Sequence, residues 1–201
     1  RQSEELGLQN IDYLQADILD LNKLGREFDI IESVGVLHHM SNPLKGWRTL
    51  VNCLKPGGLM RLGLYSDIAR KNIVQIRDEF GKELIGGKNS DLISFRAQLM
   101  LSNKEHHKQI TNFQDFYSLS ELRDLLFHTQ ECRYTLPEIN TTITDLGLKF
   151  CGFEMENNLK KEFAEKLPSP NDMYNLDVWN DYEIQNPSFF SGMYQFWCQK
   201  V

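Results

Sequence analysis

Residues 28–40 read F-D-I-I-E-S-V-G-V-L-H-H-M, and residues 54–58 read L-K-P-G-G. The run over 28–34 is mostly apolar without clean alternation, which predicts a strand covered on both faces within a parallel sheet. Asn42 and Pro43 supply an N-cap and a first-turn proline. Leu44, Trp47, Leu50, Val51 and Leu54 then recur at helical spacing and mark one apolar face. Lys55-Pro56-Gly57-Gly58 ends that helix, and 59–64 reads as the next strand. Strand, helix and strand at these lengths form a βαβ unit.

Upstream, residues 1–8 have the character of a helix closed by Gly7, and 11–16 predict a short strand that ends at the polar Asp17. Downstream, 67–112 turns helical and more polar. Ile68, Ile73, Ile76 and Phe80 fit one stripe, Leu92, Phe95, Leu99 and Ile110 another, with a break at Gly86-Gly87-Lys88-Asn89. Ser118 with Glu121, and Thr135 with Glu138, have capping-box spacing ahead of apolar runs. A strand over 148–155, a helix over 156–167 and a last strand over 193–200 complete the pattern. The stretch 168–192, rich in Pro, Asn and aromatic residues, specifies no clear element.

With 201 residues the chain can bury a sizeable core, and a formal charge of −6 argues against general nucleic-acid binding. No run of eighteen apolar residues and no signal-peptide pattern occurs, so neither membrane spanning nor secretion is supported. Cys53, Cys132, Cys151 and Cys198 lack any C-x-x-C spacing and read as reduced thiols of a cytoplasmic protein, with no metal site expected. His106 and His107 sit in a charged helical stretch and read as surface. Neighbours in sequence do not share a face of a helix or strand, so joint chelation by His38 and His39 is not expected either.

The order and spacing of F-D-I-I-E-S-V-G-V-L-H-H-M and L-K-P-G-G, with A-D-I at 16–18 upstream, resemble the class I S-adenosylmethionine-dependent methyltransferases, bacterial ones in particular. The resemblance implies an α/β fold: a Rossmann-like, partly parallel sheet of about five strands, the last antiparallel, flanked by helices. Residues 1–66 and 140–201 would form the core, carrying the family's strands three to seven, and 67–139 a helical insertion on the substrate side. It implies S-adenosylmethionine as cofactor, with Asp17 accepting from the adenine amino group and Ile18 against the ring; capping of the next turn is the alternative role for Asp17. Ser33, Val34, Gly35 and His38 would follow the methionine part. His38, His128 or Glu131 are the candidates for a base, and Tyr65, Tyr117 and His39 for the wall of the acceptor pocket. The acceptor itself, small molecule or protein, is not specified.

The family's first strand with its glycine-rich turn, and its acid-tipped second strand, have no counterpart in this sequence. The reading is therefore of an N-terminally truncated methyltransferase fold. A non-catalytic binding or assembly module is the alternative. In the family those two strands lie between strands three and four. Their absence predicts a sheet rearranged around 28–34, or a homo-oligomer that covers its open edge.

Overall fold

The computed structural model describes residues 5–80, 88–128, 130–167 and 169–201. A five-stranded mixed sheet runs in the order β1-β2-β5-β4, from β1 (Phe28–Val34), β2 (Leu54–Ser66), β4 (Leu148–Phe153) and β5 (Tyr194–Lys200). The short β3 (Arg133–Tyr134) joins the far end of β2 in parallel, at Tyr65 and Ser66. β1 and β2 are parallel, and β5 lies antiparallel to both β2 and β4. The antiparallel last strand is thus where the resemblance put it.

The βαβ unit forms as read. Asn42 accepts from the Lys45 amide, Pro43 opens α1 (Pro43–Asn52), and Trp47, Leu50 and Val51 are buried. Lys55-Pro56-Gly57-Gly58 does more than stop the helix. Partners jump from Phe28↔Leu54 to Ile30↔Leu59, so this segment bulges out of β2, with Gly57 at φ 75°. Beyond the bulge the register fixes the faces. Ile31 and Ser33 align with Met60 and Leu62, while Ile30, Glu32 and Val34 align with Leu59, Arg61 and Gly63.

The Met60, Leu62 and Leu64 face is buried against Leu37, α1, α6 (Leu136–Asp145) and α8 (Leu176–Gln185), in a cluster that includes Trp47, Ile139, Ile143, Trp179 and Phe196. The opposite face is polar near β1. Arg61 bonds Glu32 at 3.2 Å and Glu154 at 2.6 Å, and Ile30 is 55% exposed. The expectation of a strand covered on both faces is corrected here: β1 leaves Ile30 more than half exposed on the face where Glu32 meets Arg61.

Two further expectations change. Residues 11–17 form no strand but an exposed segment without regular structure, and no described strand pairs with the outer edge of β1. The sheet therefore lacks the strand expected over 11–16, and that segment has not moved in beside β1. The proposed first helix falls largely on residues 1–4, and part of the glycine break on 86–87, outside the described residues.

The helical stretch between β2 and β3 owns a second apolar cluster. It comprises α2 (Lys71–Phe80), α3 (Asn89–Leu101), α4 (Glu105–Ile110) and α5 (Leu119–Phe127), packed through Ile73, Ile76, Leu92, Phe95, Leu99, Ile110, Phe116 and Leu122. Leu136 and Ile139 pack with the sheet cluster instead. Thr135 and Glu138 make a reciprocal capping box at the start of α6, and Gly147 closes that helix at φ 66°. In the stretch that gave no sequence reading, α8 forms behind an Asn175 cap and buries Leu176 and Trp179. Its neighbour α7 (Asn157–Lys166) contributes Phe163, stacked on Trp179 at 3.4 Å between centroids.

Candidate active site

Ligands of open α/β sheets bind beyond the carboxyl ends of the strands, and here that region gathers most of the candidate residues. β1 ends at Val34, and Gly35 turns the chain at φ 75°, a left-handed conformation that strains any residue with a Cβ. The turn leads into a short 3-10 helix, Leu37–His39, anchored by Leu37 in the core. On so tight a turn adjacent histidines can converge. His38 Nε2 and His39 Nε2 lie 3.1 Å apart, against the expectation that one would face away.

The segment after α5 is stitched to this turn. The Cys132 amide donates to the His38 carbonyl at 2.8 Å, and the His39 ring bonds the Gln130 carbonyl through Nδ1 at 3.1 Å. A carbonyl only accepts, so Nδ1 of His39 carries the proton and its Nε2 offers a lone pair to the His38 N–H. His128, at the C-terminal end of α5, stacks on His39 with centroids 3.8 Å apart. It accepts from the Gln130 amide through Nδ1 at 3.3 Å, which leaves its own proton on Nε2.

Burial is the main cause that pulls the His38 pKa down from 6.5 to about 4, helped by His39, Arg70 and His128. His38 is therefore neutral at physiological pH. A base that weak is a poor proton acceptor, so its part in this cluster is that of a fixed hydrogen-bonding dipole.

Tyr65 stands over the histidines, its ring 4.0 Å from His38 between centroids, and burial raises its pKa. The Arg70 guanidinium lies 3.2 Å from the centre of the Tyr65 ring. Glu131 Oε2 accepts from Arg70 Nη1 and Arg77 Nη2, both at 3.1 Å, in a pair of which the Glu131 and Arg70 side chains are 2% and 4% exposed. A carboxylate clamped by two guanidiniums holds Arg70 in place and is not free to act as a base. Glu131 thus positions Arg70 and, through it, Tyr65.

Asp17 caps its own turn, accepting from the Leu19 amide at 2.8 Å, which is the structural alternative read from the sequence. Ile18 packs half-buried against the sheet cluster. Val34 lies against Gly63, whose missing side chain makes room for it. Tyr117 is 60% exposed and rests edge-on against Phe116, and the structure does not bring it to the histidines.

A cavity of about 350 Å³ opens beside this group, lined by His39, Tyr65, Arg70, His128, Asp115, Glu121 and Asp124 with Leu125. The sequence reading missed Arg70, Arg77 and the three carboxylates. Arg70, Ile73, Arg77 and Phe80 recur at helical spacing, so arginines on an apolar stripe were the available signal. The acids come from separate turns of the helical region, and no local pattern announces them.

At the end of β1, Ser33 Oγ and His38 Nδ1 are buried without a hydrogen-bond partner among the described residues, as are Arg70 Nε, Arg77 Nε and Glu131 Oε1 beside them. Such atoms are costly unless something bonds them. Together with the open backbone at Gly35, Ser33 Oγ and His38 Nδ1 fit a polar ligand that enters at the end of β1.

Residues 1–62 match the methyltransferase domain family. Over that stretch the chain is similar to this family, and its fold is one that methyltransferases share. Over 200 residues, 90% of this chain and 48% of the relative, it is 26% identical to an uncharacterized protein of Synechococcus sp.. The fold is that of PKMT2 from Rickettsia typhi, with TM-score 0.64, 19% identity, and coverage of 98% of this chain and 39% of that one. The same protein in complex with AdoHcy gives TM-score 0.61 at 17% identity, covering 98% of this chain and 40% of that one. The chain thus spans about half the length of the curated relative and about two fifths of the solved one. Among the described residues, no helix is long and apolar enough to cross a membrane.

Proposed function

We propose that the crevice beyond β1 and β2 transfers a methyl group from S-adenosylmethionine to the nitrogen of a cationic amine. The cavity carries the acceptor class: Asp115, Glu121 and Asp124 line it, while its one guanidinium, Arg70, is already matched by Glu131. Three carboxylates beside imidazole rings attract an ammonium group and repel an acidic acceptor.

The cofactor would lie along Ser33, Val34 and Gly35, with Ser33 Oγ and His38 Nδ1 given the partners they lack. Bound there, it supplies a methyl group already activated by the positive sulfur. The S–CH3 bond breaks as the N–CH3 bond forms, and the amine must first be without its proton. His39 Nε2, whose lone pair is fixed by the Nδ1–H bond to Gln130, takes that proton by exchanging its bond from the His38 N–H for one from the amine. His128 holds the His39 plane by stacking, and Tyr65 walls the pocket. What remains is in-line positioning and exclusion of water, which the histidine and tyrosine rings provide.

The test supplies tritiated S-adenosylmethionine with a lysine-containing peptide and, separately, with the same peptide carrying glutamate for lysine. Label enters the lysine peptide, and Asp115→Asn with Asp124→Asn raises its KM by about tenfold or more while cofactor affinity holds. Equal labelling of the glutamate peptide, or an unchanged KM in the double variant, contradicts the amine assignment. His39→Asn is expected to lower kcat by about 100-fold.

The outer edge of β1 also bears on function. We infer that a second copy of the chain covers it, since an exposed strand edge invites pairing. The four free thiols, Cys53 and Cys198 buried among them, support a reducing, cytoplasmic setting.

A further inference from the structure

We propose that Glu79, His106 and His107 form a transition-metal site, with zinc as the matching ion, that ties α2 to α4. Sequence reading placed the two histidines on the surface. Instead the side chains of His106 and His107 are 12% and 4% exposed, and both rings turn to one carboxylate. His106 Nε2 lies 2.7 Å from Glu79 Oε1, and His107 Nε2 lies 2.9 Å from Glu79 Oε2.

The donor set is two imidazoles and a carboxylate, one ligand atom each, all within 4.8 Å of one another. Around zinc, with bonds of about 2.0–2.1 Å, tetrahedral neighbours stand roughly 3.4 Å apart. The observed spacings need to open by roughly 0.5–0.7 Å, which rotation of one glutamate side chain supplies. Imidazole nitrogens select zinc, nickel or copper over magnesium and calcium, whose sites are built from oxygen.

A supporting shell is already in place. His107 Nδ1 sits 2.8 Å from Ser102 Oγ, the arrangement by which a ligating histidine is oriented and its metal-facing nitrogen left bare. Phe80 packs against the His107 ring at 5.7 Å and, edge-on, against Phe95 at 4.7 Å, which backs the site with apolar surface. On the other side a cavity of about 360 Å³, lined by Glu79, Ser102, Lys104 and His107, gives room for a fourth ligand. Three protein ligands and one open position make a complete coordination set for zinc.

Lys104 is the built-in competitor. Its ammonium lies 2.8 Å from Glu79 Oε2, the oxygen that also faces His107. A divalent cation takes over that neutralising role and releases the lysine. This distinguishes a metal site from a hydrogen-bonded clasp, because removing Lys104 weakens a clasp but strengthens a metal site.

The experiment is calorimetric titration of zinc into tag-free protein freed of metal with a chelator, with cobalt absorption as the coordination readout. One equivalent binds, the cobalt spectrum is that of a tetrahedral site, and the melting temperature rises with zinc. His107→Gln and Glu79→Gln each weaken binding by at least about tenfold, while Lys104→Met tightens it. His39→Ala serves as the control for the other histidine cluster and leaves binding unchanged. Absence of zinc uptake, unchanged uptake in His107→Gln, or loss of uptake in His39→Ala overturns the assignment. None of these readouts depends on methyl transfer.

Discussion

His38 shows how one buried side chain sets both a chemical role and a pH dependence. Its pKa falls from 6.5 to about 4 on folding. Between those values the unfolded chain binds more protons than the folded one, so stability rises with pH across that window and is lost as pH falls through it. Denaturant melts at pH 7 and pH 5 are expected to show the protein weaker at pH 5, and His38→Gln is expected to shrink the difference. Glu131 makes a sharper case. Glu131→Ala leaves Arg70 as a buried, unpaired cation and strips Arg77 of its carboxylate, with an expected cost of about 3 kcal/mol by denaturant unfolding. Histidines 38 and 39 were legible as candidates because they follow the decisive strand. Their convergence was not, since it depends on a 3-10 turn that a helix-or-strand reading does not contain.

The βαβ unit was readable because its signals are local: a cap, a proline, an apolar stripe and a glycine-rich stop. The bulge at 55–58 was not, because it is defined by what lies across from it in β1. Close approach within the sheet is visible only in three dimensions as well. A Cβ on Gly63 would meet Val34 Cγ1 at 2.7 Å and the Val34 Cα at 3.1 Å. Gly63→Ala is therefore expected to cost about 1–3 kcal/mol, measured as a lower denaturation midpoint at an unchanged slope. By contrast, the capping box of Thr135 and Glu138 was plain in sequence. Thr135→Ala should remove about 1 kcal/mol, since it leaves the Glu138 amide at the start of α6 without its acceptor.

Across the whole molecule, the sheet runs β1-β2-β5-β4, and its antiparallel closing strand is the one the family resemblance implies. The segment 11–16 misled because a short apolar run becomes a strand only where a neighbouring edge is within reach; in the structure it stays exposed. The free edge of β1 then becomes a matter of assembly. Light scattering is expected to give a dimer that Ile30→Lys converts to monomer, as a charge on an edge strand opposes pairing. A monomeric mass for the parent chain rules out the second copy as the cover.

Ser33 offers the most direct test of the proposal that the end of β1 is where this chain holds S-adenosylmethionine. Its hydroxyl is buried without a partner, so Ser33→Ala costs the fold nothing in hydrogen bonds. Calorimetric titration with S-adenosylmethionine is expected to show saturable binding by the parent chain. The variant should bind about five- to tenfold more weakly while melting at the same temperature or higher. Equal affinity in the two proteins, or no binding by the parent chain, would contradict it.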